Sequence, residues 1–143
     1  MTLDEELKKD FFNISVDEEG IMRLTFTKDT EDPEKIARTA ELVEEAILKI
    51  FKENEQKIYN GLVDISPLEG GGRVSKKSKK VYIRLMSHQQ LHKIAILASK
   101  KSSLFLKVVT IFASKAALRG KSLKWFNDEA EAMKWLREKN SGG

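Results

Sequence analysis

The alternation of apolar and polar side chains is sharpest near the start of the chain. Ile14 and Val16, then Met22, Leu24 and Phe26, recur at every second position on either side of Glu18-Glu19-Gly20. Period-two alternation flanking a glycine-bearing turn predicts a β-hairpin. The period then changes. Over residues 30–54, Ile36, Ala40, Val43, Ile47 and Ile50 recur at helical spacing behind Asp32, an N-cap residue, and Pro33, which suits the first helical position. Residues 57–66 ("KIYNGLVDIS") supply a short apolar run ending in Asp64, the form of a buried strand leading into a helix, and residues 93–99 ("KIAILAS") are nearly all apolar without polar alternation, the pattern of a central strand covered on both faces. Between them, beyond a Pro-Leu-Glu-Gly-Gly-Gly loop, Val81 and Leu85, with Val74 behind the start, mark one side of a helix over residues 75–88. "KSLKWF" predicts a last strand. "NDEAEAMKWLREKN" predicts a last helix, started at Asn127 or by an Asp128-to-Glu131 capping box and anchored by Met133 and Leu136.

The segment over residues 102–118 is apolar nearly all round, and its length favours a helix over a strand. The order is therefore β-β-α-β-α-β-α-β-α. This is an α/β fold with a central, mostly parallel sheet, an N-terminal hairpin and helices packed against it. With 143 residues the chain is long enough to bury a core as one domain, expected over residues 1–140, with the polar tail 141–143 frayed.

Composition narrows the chemistry. The chain has no cysteine, which removes disulfides, thiol nucleophiles and the commonest structural zinc sites. No run reaches the ~18 uninterrupted apolar residues of a membrane span, and the acidic, polar opening is no signal peptide, so a cytoplasmic location is expected. The net charge of +4 conceals an asymmetry: residues 1–69 hold 18 acidic and 9 basic side chains, whereas residues 70–127 hold 14 basic and none acidic. Such a block predicts either an anionic partner or an internal match with the acidic first half.

The runs "YNGLVDIS", "HKIAILAS" and "LKWFNDEAEAMKWL", with Glu-Ala-x-x-Trp-Leu at residues 131–136, resemble the SpoIIAA-like branch of the STAS superfamily, the sulphate-transporter and anti-sigma-factor-antagonist domains. The resemblance covers almost the whole chain. It implies one STAS-like α/β domain, also likened to lipid-binding CRAL-TRIO domains, and no catalytic triad. In signalling members of the superfamily, a serine opening the helix after the Leu-Val-Asp-type strand is phosphorylated and switches partner binding. The resemblance places that role at Ser75, although Gly72-Arg73-Val74-Ser75 stands where those members carry an Asp-Ser-Ser-Gly-like motif.

Residue chemistry is read beside that resemblance. Gly70, Gly71 and Gly72 do not meet the spacing of a phosphate-binding Walker loop, so they read as a strand-to-helix connection or, through their amides, as an anion contact. Ser75 reads as an N-cap. Arg73, Lys76, Lys77, Lys80 and Arg84 gather into one narrow stripe on a helix, an anion- or partner-facing surface or a solvated exterior. Nucleic acid is a poor match, because the lysines are not interleaved with aromatic side chains beyond Tyr82. His88 and His92 stand four apart, but a strand begins at Lys93, so no metal site is expected. Asp64 closes a strand with no histidine or second carboxylate to join it in catalysis, and reads as a loop cap. The apolar surface of Leu104, Phe105, Val108, Val109 and Phe112 would be covered by the terminal helix, by a second copy of the chain, or by an apolar ligand.

These readings converge on a non-enzymatic regulatory or protein-interaction module with no cofactor. Its expected partner is a protein, with a homodimer as one form. The alternative is a carrier or sensor of a small apolar or phospholipid-like anionic ligand.

Overall fold

The computed structural model describes residues 1–68, 75–99 and 122–138. Along them run α1 (Leu3–Asp10), β1 (Phe12–Val16), β2 (Ile21–Phe26), α2 (Pro33–Glu53), β3 (Tyr59–Asp64), α3 (Lys76–Met86), β4 (Leu91–Leu97), β5 (Ser122–Phe126) and α4 (Glu129–Arg137). The strands form one sheet in the order β1-β2-β3-β4-β5, with β1 antiparallel to β2 and the remaining neighbours parallel. This is the expected α/β architecture with its opening hairpin. The helix expected over residues 102–118 lies outside the described residues.

Local chemistry accounts for most boundaries. Gly20 takes a φ of +80° in the β1–β2 turn, a conformation a side chain would strain. Asp17 completes the turn by accepting from the backbone of Glu19 and Ile21 at 2.9 and 3.0 Å. Asp32 caps α2 by accepting from Glu34 N at 3.0 Å, with Pro33 in the first turn. Two expectations need correction. The polar opening of the chain is a helix, α1, capped by Thr2 and buried at Leu7 and Phe11, because Leu3, Leu7 and Phe11 stand four apart. And β4 starts at Leu91, not Lys93, because Leu91 already pairs with Tyr59 of β3 ahead of a register irregularity.

The two faces of the sheet are covered differently. Met22 and Leu24 of β2 and Tyr59 of β3 pack with Leu7, Leu42, Val43, Ile47, Phe51 and Leu85 beneath α1, α2 and α3. Ile94 and Ile96 of β4 extend this layer with Ile65, Ala98 and Met86. On the opposite face a smaller cluster, Ile21, Leu62, Ala95, Leu97 and Phe126, receives Ala132 and Leu136 of α4.

Candidate functional site

Of the residues singled out by sequence, Asp64 lies at the carboxyl end of β3, and Ser75, Lys76, Lys77 and Lys80 stand at the start of α3. Asp64 ends β3 and is 6 % exposed. One carboxylate oxygen accepts from Ser66 N at 2.9 Å and from Ser66 Oγ at 2.6 Å, closing the loop behind the strand. Its other oxygen accepts from the Arg23 guanidinium at 3.3 Å. Arg23 in turn reaches Glu129 in the first turn of α4. The hydrogen bond to Glu129, and after it the contact with Asp64, raise the basicity of Arg23 against the opposing effect of burial. Asp64 is thus the loop cap read from the sequence through one oxygen, while the other, through Arg23, links β3 to β2 and α4.

Ser75 is the N-cap of α3. Its Oγ accepts from Ser78 N at 3.0 Å, and Ser78 Oγ accepts from Ser75 N at 2.7 Å, a reciprocal capping box. Ser78, which sequence reading passed over, is 0 % exposed. The serine three residues after Ser75 was the available signal. Val81 and Leu85 face the core as expected.

The basic stripe divides into two rows. Arg84 binds the Glu44 carboxylate of α2 in a two-pronged pair at 2.6 and 2.7 Å, and this bond raises its basicity. Lys77 lies 3.4 Å from Glu41 of the same helix. Lys76 and Lys80, four apart, are exposed and form no ion pair among the described residues. No acidic residue stands in the first turn of α3 to balance them. The internal match between acidic and basic halves therefore occurs, but on one side of α3. Arg73 lies outside the described residues, as do Leu104, Phe105, Val108, Val109 and Phe112.

His88 and His92 do not share a helix face. The His88 ring stacks on Phe51 with centroids 4.3 Å apart, and its Nδ1 accepts from Gln90 N at 3.1 Å, whereas His92 belongs to β4. Among the described residues no three His, Asp or Glu side chains are grouped to hold a metal ion. Nor is any helix among them long and apolar enough to cross a membrane.

A protein-family model described as SpoIIAA-like matches residues 21–137. The chain belongs to the SpoIIAA-like family. The match runs from β2 through α4 and leaves α1 and β1 ahead of it, so the SpoIIAA-like region contains Asp64, Ser75 and the whole of α3. This SpoIIAA-like domain fits a regulatory module of STAS type. No curated protein and no solved structure matches the chain.

Proposed function

We propose that the protein is a non-enzymatic regulatory module that binds an acidic protein surface through the outward row of α3, Lys76 and Lys80, with Ser75 at its start. The observation that carries this reading is the division of the basic stripe. Lys77 and Arg84 spend their charge on Glu41 and Glu44, whereas Lys76 and Lys80 project positive charge from a helix start whose dipole has the same sign. Contacts between those lysines and a partner's carboxylates would relieve that repulsion and weaken with added salt. Phosphorylation of Ser75 would add about two negative charges beside Lys76, and so release an acidic partner.

The test compares native protein with Lys76→Glu/Lys80→Glu as bait for proteins of its own cell extract. A partner retained by the native form and by Lys134→Glu, but lost by the double variant and by rising salt, is the expected result. Equal capture by all three removes α3 from the account. A carrier of a small apolar or phospholipid-like ligand is the competing reading, motivated in the sequence by Leu104, Phe105, Val108, Val109 and Phe112 beside a basic surface. Lipid copurifying in native mass spectrometry would favour it, and paired chains would favour a homodimer.

A further inference from the structure

The amino-terminal ends of the same strands carry a second constellation, remote along the sheet from Ser75. Register pairs Tyr59 with Leu91 and then Gly61 with Ile94, so Asn60 of β3 faces two residues of β4, His92 and Lys93. This is a β-bulge, a device that re-aims side chains. In a regular strand, neighbouring side chains point to opposite faces. Here His92 and Lys93 both line one pocket of about 350 Å³, walled by Ile21 and Leu136. Asn60 ties the bulge to the last turn of α4: its Oδ1 accepts from Lys93 N at 3.1 Å and its Nδ2 donates to Leu136 O at 2.9 Å.

Lys93 is 5 % exposed and forms no ion pair among the described residues. Its ammonium donates to the carbonyls of Trp135 at 3.0 Å and Glu138 at 2.7 Å, and stands 5.2 Å from the centre of the Trp135 ring. Those dipoles and that ring face stabilise the cation, but an ammonium has three donors and a buried positive charge favours a counter-charge. Arg137 also lines the pocket. It bonds Glu19 of the β1–β2 turn through Nε, at 3.0 Å to each oxygen, leaving its terminal nitrogens without a hydrogen bond among the described residues.

We infer that this pocket binds a small molecule carrying one carboxylate on an apolar body. The carboxylate meets Lys93 and the outer nitrogens of Arg137, and the body lies against Ile21 and Leu136. The volume falls within the roughly 300–1,000 Å³ of small-molecule sites. Glu19 and Glu138 at the lining select against ligands of higher negative charge. The inference does not rest on the α3 surface, which lies at the opposite ends of the strands.

The test is a backbone-amide NMR titration of the full chain with acetate, butyrate and benzoate at constant ionic strength, with benzyl alcohol as the uncharged counterpart of benzoate. Saturating shifts at Asn60, His92, Lys93 and Glu138 are expected with butyrate or benzoate. Binding should weaken about tenfold or more for benzyl alcohol and for Arg137→Gln, the loss of one good charged contact. Lys93→Met should abolish it where the spectrum remains folded; Arg137→Gln, at an exposed position, provides the result if Lys93→Met does not fold. Absence of saturation with all three carboxylates, equal binding of benzyl alcohol, or native affinity in Arg137→Gln would overturn the inference.

Discussion

The two faces of the sheet are held by different physics. Beneath α2, closure comes from apolar area: Leu42, Val43, Ile47 and Phe51 of one long helix sink among Met22, Leu24 and Tyr59, and the ion pairs lie at the rim. Beneath α4, a nine-residue helix buries Ala132 and Leu136, and polar contacts pin both its ends. Arg23 grips Glu129 at the start, while Lys93, Asn60 and Arg137 tie down the final turn. Apolar area tolerates small shifts in geometry, whereas directed hydrogen bonds do not. The polar anchors therefore lie where charged side chains surround a pocket, and the featureless core lies where they do not.

The largest effect expected from breaking this contrast is in the apolar layer. Leu42→Ala should cost about 3–4 kcal/mol in urea unfolding, through lost transfer energy and a residual cavity. A loss below about 1 kcal/mol would mean that α2 is not held by its apolar face. Next is Lys93→Met, which removes two charged hydrogen bonds, to Trp135 O and Glu138 O, although Trp135 O still accepts from Glu138 N. About 2–3 kcal/mol is expected, tempered by relief of the ammonium's burial, with faster amide exchange confined to α4. Unchanged exchange in α4 would show that its apolar contacts suffice.

The smallest effect belongs to the rim. Arg38 binds Asp4 at 2.8 and 2.9 Å, and this hydrogen bond, ahead of burial's opposing effect, holds the Asp4 carboxyl below the usual aspartate range. A carboxyl depressed in the folded state contributes stability above its unfolded value and loses that contribution as pH falls through the folded one. Asp4→Asn should thus be slightly less stable than native protein at neutral pH, with the difference fading below about pH 4. A difference that grew on acidification would contradict the pairing.

How far the sequence revealed this molecule follows from the range of each interaction. Helix α2 was legible because its cap, proline and apolar repeat all lie within one segment. Strands β3 and β4 were legible as short apolar runs, and the hairpin strands β1 and β2 by their alternation. Helix α1 was missed because its acidic residues dominate, although Thr2-x-x-Glu5 and the spacing of Leu3, Leu7 and Phe11 carried the signal. Ser75 as a cap was legible, being local. The division of the basic stripe was not, since Glu41 and Glu44 lie more than thirty residues from Lys77 and Arg84 and meet them through packing alone. The same holds for residues 88–93, whose Gln90 donates to the carbonyls of Phe51, Asn54 and Lys57 to close α2 while Lys93 closes α4. No periodicity announces a glutamine and a lysine that cap two distant helices, or a bulge that depends on a neighbouring strand.

The central claim is that Lys76 and Lys80, and not the paired row beside them, meet a partner. Covalent lysine labelling of the protein in its own cell extract, compared with the purified chain, tests it most directly. Lys76 and Lys80 should label less in the extract and recover when salt is raised, while Lys49 and Lys134, exposed elsewhere, remain unchanged. Equal labelling of Lys76 and Lys80 in both samples would contradict the account.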